Sequence, residues 1–174
     1  MDFLETIASS FLDTDSFRDF VSIFSHVSRT SESDFRIGGI DVLGITYLKF
    51  KDEIILETRF DGESKMEENG YRDGGNHGVQ KRWNHEGDLV VEGNFVNGAR
   101  EGHWIYRYDN GVIADEGNYV NDREDGFWLS KDENGRKLTG RTFLNGKCNG
   151  TITTYNEDGS IQKQSEYING KIVE

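Results

Sequence analysis

The sequence predicts an α+β protein in which short N-terminal helices precede an open antiparallel meander of β-hairpins. Three observations support this class. Apolar residues near the N-terminus follow helical spacing, glycine and asparagine residues recur every 24 residues from Gly78 onward, and each repeat contains two turn-forming dipeptides. The expected domains are residues 1–59, which combine the helices with the first strands, and residues 60–174, which form the repeat array.

The first 28 residues are predicted to form two short amphipathic helices or one bent helix. Their apolar residues fall into two groups with helical spacing: Phe3, Leu4, Ile7, Ala8 and Phe11, then Phe17, Phe20, Val21, Phe24 and Val27. Between the groups, Asp13, Thr14 and Asp15 can end one helix and cap the next. Residues 29–37 are polar and are predicted to form a loop.

Residues 38–60 are predicted to form two strands around a turn at Lys51-Asp52-Glu53, because apolar and polar residues alternate there. Residues 60–77 then form a degenerate repeat. Its dipeptide Asp73-Gly74 lies 24 residues before the equivalent dipeptide Asn97-Gly98. This segment is expected to join the first strands to the array.

Four complete repeats follow, at residues 78–101, 102–125, 126–149 and 150–174. Several residue series keep the 24-residue period without a gap: Gly78, Gly102, Gly126 and Gly150; Gly87, Gly111, Gly135 and Gly159; Asn97, Asn121, Asn145 and Asn169; and the aromatic residues Phe95, Tyr119, Phe143 and Tyr167. A fixed period of this length indicates a repeat architecture in which each unit packs on its neighbours.

Each repeat carries two turn signals. The first series is Glu86-Gly87, Asn110-Gly111, Asn134-Gly135 and Asp158-Gly159, and the second is Asn97-Gly98, Asn121-Asp122, Asn145-Gly146 and Asn169-Gly170. Asn-Gly and Asp-Gly favour type I′ turns, which need positive φ at both central residues. Both series are therefore predicted to be two-residue turns that connect sequential antiparallel strands.

A turn centred on Asn110-Gly111 fixes the pairing of the strands on either side of it. Counting outward places Trp104 opposite Gly117 and Gly102 opposite Tyr119. In both pairs a ring faces a glycine, so the ring is expected to lie over the bare backbone of its partner. This arrangement explains glycines inside strands, which otherwise weaken them.

The pattern resembles MORN repeats, and in particular the MORN-2 variant of the YwqK family, whose members are described as antitoxin components. The segments that carry the likeness are Gly102-His103-Trp104, Asn110-Gly111, Glu116-Gly117-Asn118-Tyr119 and Asn145-Gly146-Lys147. The resemblance covers roughly residues 60–174 and implies a β-hairpin array. Asp122 departs from the pattern in a turn, and Arg141 departs from it in a strand.

Composition narrows the possible partners. The net charge of −12 disfavours binding to nucleic acid and to anionic lipid, and it favours a protein partner with a basic surface. Cys148 is the only cysteine, so no intramolecular disulfide can form and a reducing compartment is expected. The N-terminus is acidic and no apolar run reaches membrane-spanning length, which together predict a cytoplasmic protein.

No catalytic, cofactor-binding or metal-binding residue is predicted. The histidines His26, His77, His85 and His103 lack ligand spacing. Cys148 has no motif around it, and Gly70 to Gly78 lacks the Lys-Ser/Thr of a phosphate loop. The paired carboxylates lie near turns, where solvated acids are common, so no enzyme is expected.

The candidate partner-binding residues are rings and nearby acids in the array: Trp104, Tyr106, Tyr108, Trp128, Asp115, Glu124, Asp125, Asp132 and Glu133. Exposed Trp and Tyr residues act as anchors in protein interfaces. The alternative is that the rings form the core of a thin sheet. The sequence favours a binding inhibitor of the antitoxin, immunity or phage anti-defence type, acting on a partner such as a nuclease. The alternative function is a scaffold or self-assembly module, and the oligomeric state stays open.

Overall fold

The described residues form one antiparallel sheet of 13 strands. The computed structural model describes residues 35–38, 45–50 and 53–173. The strands are β1 (Phe35–Gly38), β2 (Ile45–Phe50), β3 (Glu53–Asp61), β4 (Ser64–Arg72), β5 (Gly75–Trp83), β6 (Leu89–Val96), β7 (Ala99–Arg107), β8 (Ile113–Val120), β9 (Arg123–Lys131), β10 (Lys137–Leu144), β11 (Lys147–Tyr155), β12 (Ile161–Ile168) and β13 (Lys171–Ile172).

The order of the strands in the sheet is their order in the chain. This confirms the predicted meander, in which every connection is a hairpin. The predicted α+β class is wrong, because the described part of the chain is all-β and contains no helix. The helices predicted in residues 1–28 lie outside the described residues. No helix in the described ranges is long and apolar enough to span a membrane.

The segment before the array follows the prediction only in part. The two strands expected in residues 38–60 are present as β2 and β3. The loop predicted for residues 29–37 is wrong at its end, because Phe35–Gly38 pairs with β2 as a further strand. The polar residues that favoured a loop did not outweigh the open edge of β2, which offers backbone hydrogen bonds to a neighbouring strand.

The turn series that begins with Asn97-Gly98 has the predicted geometry. Asn97 and Gly98 have φ values of 51° and 84°, and Val96 pairs directly with Ala99. Asn121 and Asp122 adopt the same conformation, at 50° and 65°. Asn and Asp tolerate this left-handed region better than other residues with a side chain.

The other turn series differs from the prediction. At Asn110-Gly111 only the glycine has a positive φ, of 80°. The N–H of Gly111 donates to the carbonyl of Tyr108 (2.9 Å), and the N–H of Tyr108 donates to the carbonyl of Val112 (2.9 Å). The connection is therefore a three-residue loop in which the glycine forms a bulge. The predicted two-residue turn is wrong here, because a type I turn followed by a left-handed glycine satisfies the same backbone groups.

The predicted pairing of β7 with β8 is confirmed. Trp104 lies opposite Gly117, and Gly102 lies opposite Tyr119. The three-residue loop does not change this pairing, because a register shift between Tyr106 and Arg107 absorbs the extra residue. Gly102 has a φ of 72°, so backbone conformation accounts for this glycine.

The sheet has two faces of different chemistry over β6–β12. One face, here the tryptophan face, contains a buried cluster with partly buried neighbours: Trp104, Tyr119, Trp128 and Phe143, with Val91, Phe95, Tyr106 and Cys148. The other face, here the aliphatic face, contains Val96, Ile105, Val120, Phe127, Leu129, Leu144 and Ile168. In the described residues no second layer of sheet covers either face.

Candidate interaction surface

The tryptophan face is built by packing each indole ring over a glycine. A Cβ placed on Gly93 would lie 2.2 Å from the ring of Trp104, and one on Gly117 would lie 2.3 Å from the ring of Trp128. The prediction that each ring lies over the glycine opposite it is therefore wrong for Trp104. Its ring lies over Gly93 of β6, and Gly117 is covered by Trp128 from β9. Each ring thus locks two successive hairpins together.

The third repeat shows the same dependence by substitution. The residue equivalent to the covered glycine is Arg141, and the residue equivalent to the ring is Ile152. Ring and bare backbone are thus both present in two repeats and both absent in the third. Because an indole cannot occupy the space of a Cβ, an arginine at this position is incompatible with a tryptophan over it.

Tyr106 lies between the two indoles. Its ring is stacked on Trp104 with centroids 6.1 Å apart and on Trp128 with centroids 6.5 Å apart. Tyr119 closes the cluster with edge contacts to both indoles, at 5.9 and 5.0 Å. Only 3% of Trp104 and 1% of Trp128 is exposed, whereas Tyr106 is half-buried. Tyr106 is therefore a partly accessible ring on a rigid support.

Arg100 continues this face toward the two-residue turns. Its guanidinium lies 3.9 Å from the ring centroid of Tyr119, and its Nε donates to Asp122 (2.9 Å). Burial, together with hydrogen bonding to Tyr106, raises the pKa of Tyr119 well above its usual range. The side chain and backbone N–H of Arg100 hold the pKa of Asp122 below its usual value. Tyr119 is therefore neutral and Asp122 ionised at neutral pH.

Asp115 lies beside Tyr106 in an ion pair with Arg141. The Nη2 of Arg141 donates to both carboxylate oxygens of Asp115 (3.0 and 2.9 Å) and to the hydroxyl of Ser130 (2.8 Å). The pair is partly exposed, at 32% for Asp115 and 27% for Arg141. Arg141 therefore replaces the strand glycine with a cation that pairs with the acid of the preceding repeat.

Two further predicted acids hold the two-residue turns in place. The carboxylate of Asp125 accepts a hydrogen bond from the N–H of Asn145 (3.1 Å), and the carbonyl of Glu124 accepts one from the N–H of Gly146 (2.8 Å). Glu101 has the same role for the N–H of Asn121 (3.0 Å). Each turn is thus bonded to the repeat before it, and these groups have a structural function.

The remaining predicted residues lie at the three-residue loops. Asp132 accepts hydrogen bonds within its own loop, and the backbone N–H of Arg136 is the main cause of its lowered pKa. The carbonyl of Glu133 accepts a hydrogen bond from the side chain of Asn110 (2.9 Å), which leaves its carboxylate exposed. The hydroxyl of Tyr108 donates to the carbonyl of Lys131 (2.9 Å). Tyr108 therefore clasps the next loop.

The predicted residues thus form one compact group and several separate ones. Tyr106 and Asp115, which are partly accessible, lie together on the tryptophan face above the buried Trp104 and Trp128. Asp125 lies near the two-residue turns, and the predicted loop residues lie at the opposite edge. Sequence reasoning missed Arg100 and Arg141, although Arg141 stood out as the residue that breaks the glycine series. That a partner binds here stays a prediction.

The aliphatic face exposes large apolar side chains beyond β6. The exposed fraction is 38% for Val96, 39% for Val120, 50% for Leu144 and 59% for Ile168. These residues occupy the same place in successive repeats. The face is chemically simple, with Phe127 (55% exposed) near its middle.

The described residues contain no group of three or more His, Cys, Asp or Glu side chains that could hold a metal ion. The larger of two open clefts, of about 420 Å³, is lined by Lys49, Glu53, Ile54, Glu57, Tyr71 and Gly74. Its charged groups do not form a nucleophile–base arrangement, since the nearby Arg59 donates to Glu57 (2.7 Å). This cleft supports no reaction that we can name.

Comparison with known proteins identifies the repeats. The family model of the MORN repeat variant matches residues 76–97, 100–121 and 149–169. This confirms the resemblance, and a β-meander of such repeats fits a repeat scaffold or a binding module. No curated protein sequence matches the chain.

Two solved structures show a distant likeness. One is a crystal structure of an S. aureus TarM mutant in complex with fondaparinux, alpha-GlcNAc-glycerol and UDP, at 8% identity and a TM-score of 0.36. The other is a crystal structure of TarM, at 10% identity and a TM-score of 0.29. In both cases the match covers 90% of this chain and 27% of the other. A likeness of this degree does not extend to function.

Proposed function

We propose that this array of MORN-variant repeats is a non-catalytic, protein-binding inhibitor that neutralises a partner enzyme through its tryptophan face. The partner is expected to present a basic surface, such as the nucleic-acid channel of a nuclease. An antitoxin, an immunity protein and a phage anti-defence protein would all act in this way.

The observation that carries the proposal is the placement of Tyr106. Its ring is held between two buried indoles, yet part of it is accessible. A tyrosine held in this way loses little conformational entropy when it becomes buried against a partner. The buried indoles therefore serve the site by fixing Tyr106, which modifies the role expected for Trp104 and Trp128.

The groups around Tyr106 suit a polar rim. Val91 and Asp115 lie directly across from it on the neighbouring strands. Asp115 is already paired with Arg141, so a cation of the partner would share the carboxylate. The net charge of −12 would speed association with a basic partner and make the rate depend on salt.

A capture experiment followed by an activity assay tests the proposal. Tagged wild-type protein is incubated with extract of its source cells or their hosts, and retained proteins are identified by mass spectrometry. The retained enzyme is then purified and assayed with increasing amounts of wild-type protein. We expect inhibition that saturates near one array per enzyme, and loss of both capture and inhibition for Tyr106→Ala.

The matched control is Tyr155→Ala, because Tyr155 is also half-buried in a strand but lies on the aliphatic face. This variant should capture and inhibit like the wild type. Retention of an enzyme whose activity does not change would contradict the inhibitor role and favour the scaffold alternative. Equal effects of the two substitutions would remove the tryptophan face from the account.

A further inference from the structure

The aliphatic face carries a second regular feature beside its apolar row. Val120, Leu144 and Ile168 each pair across a turn with the first residue of the next strand, and these residues are Arg123, Lys147 and Lys171. All three cations are exposed, and none forms an ion pair within the described part of the chain. One edge of the face is therefore a ladder of aliphatic and cationic pairs.

The opposite edge carries an acidic ladder with the same period. Asp109, Glu133 and Glu157 occupy equivalent places in the three-residue loops, and all are exposed. Glu157, whose side chain is 91% exposed, lies 3.5 Å from Arg136 at the surface. The carboxylates of Asp109 and Glu133 have no ion-pair partner in the described residues.

The two ladders have the same spacing because one repeat generates both. Successive members are two strands apart, which corresponds to about 10 Å across a sheet. A second copy of the chain therefore presents acids at the same interval as the cations of the first. An unrelated protein would match this spacing only by chance.

We propose that the aliphatic face is the interface for a second copy of this chain. The two copies pack face to face about a two-fold axis that runs across the strands. This axis reverses the strand direction, so the turn edge of each copy lies over the loop edge of the other. Arg123 then faces the partner copy's equivalent of Glu133, and Lys147 faces that of Glu157. Every contact occurs twice, as two-fold symmetry requires.

The size of the face is sufficient for such a dimer. Strands β8–β12 are eight or nine residues long, and five strands of this length cover roughly 600 Å² on each copy. The resulting total of about 1,200 Å² reaches the lower limit of stable interfaces. Phe127 and Leu129 lie near the centre of this area, where a dry contact contributes most.

Sedimentation velocity over a range of concentrations tests the proposal on the full chain. We expect wild-type protein to dimerise and the dimer to weaken as salt is raised, because the ladders are exposed to solvent. Leu144→Asp should raise the dimer dissociation constant at least tenfold. Circular dichroism should show an unchanged sheet, since Leu144 is already half exposed.

A charge exchange tests the orientation of the two copies. The double variant Arg123→Glu, Lys147→Glu should be monomeric, and adding Glu133→Lys and Glu157→Lys should restore the dimer. Lys163→Glu is the matched control, because Lys163 is an exposed cation on the tryptophan face, and it should dimerise normally. A wild-type protein that is monomeric at every concentration would overturn the proposal, and so would failure of the exchange to restore dimers.

The dimer does not depend on the inhibitor role. Tyr106→Ala should dimerise like the wild type while losing the partner enzyme, and Leu144→Asp should retain the enzyme. Failure of one proposal therefore leaves the other measurable.

Discussion

At the scale of single residues, the glycines of this sheet have two different functions. Gly102 is required because its φ is positive, and a Cβ there would meet no neighbour within 4 Å. Gly117 is required because the ring of Trp128 occupies the space of a Cβ. The sequence shows both glycines at a 24-residue spacing but cannot distinguish these reasons, since the ring comes from a different hairpin than the pairing suggests.

Gly117→Ala should destabilise the array by about 1–3 kcal/mol, the usual cost of adding a methyl group to a packed site. The control is Gly75→Ala. A Cβ at Gly75 would meet only a carbonyl oxygen at 3.7 Å, so this substitution should change stability little. Urea unfolding followed by tryptophan fluorescence measures both. Equal stability of the two variants would show that Trp128 does not lie over Gly117.

The same contact can be tested as a coupling between two residues. Trp128→Ala alone should cost about 3–5 kcal/mol, because it empties a buried site. In that background Gly117→Ala should become nearly neutral, because the added methyl group has free space. A double-mutant cycle in urea measures the coupling. Additive effects would contradict the packing of this ring on this glycine.

Asp122 gives the array a small dependence on pH. Hydrogen bonds from Arg100 lower its pKa below 3.8, so its contribution to stability is present above about pH 4 and is lost as the pH falls through the lowered value. Asp122→Gly removes this contribution and relieves a positive φ of 65°. The difference in Tm, wild type minus variant, should therefore decrease from pH 7 to pH 3. A difference that is constant with pH would exclude this role.

At the scale of elements, both kinds of turn are bonded to the neighbouring repeat. Asp125 accepts the N–H of Asn145, and the side chain of Asn110 donates to the carbonyl of Glu133. The sequence identified every turn position, because Gly and Asn mark them clearly. It did not identify the three-residue loops, since an Asn-Gly dipeptide is compatible with both turn types.

Asp125→Ala should loosen the turn at Asn145-Gly146 without unfolding the sheet. The N–H of Asn145 would lose its acceptor, and amide hydrogen exchange at this turn should become several-fold faster. Glu133→Ala is the control, because the carboxylate of Glu133 is exposed and only its carbonyl holds a neighbouring loop. Equal exchange rates in wild type and Asp125→Ala would show that this acid has no structural role.

At the scale of the whole molecule, the meander follows directly from the repeat, because every two-strand unit buries its rings only against its neighbours. Periodicity was therefore enough to predict the order of the strands and the pairing of Trp104 with Gly117. It was not enough to predict burial. Alternation places Trp104 and Tyr106 on one face, but only the packing of Trp128 and Tyr119 decides that the indole is covered and Tyr106 is not.

The affinity of the captured partner enzyme for two single variants tests the central claim most directly. Isothermal titration calorimetry on purified proteins would compare wild type, Tyr106→Ala and Tyr155→Ala. If Tyr106 is an anchor, its removal should weaken binding by about 30-fold or more, which corresponds to about 2 kcal/mol, while Tyr155→Ala binds like the wild type. Unchanged affinity for Tyr106→Ala, or an equal loss for Tyr155→Ala, would contradict binding through the tryptophan face.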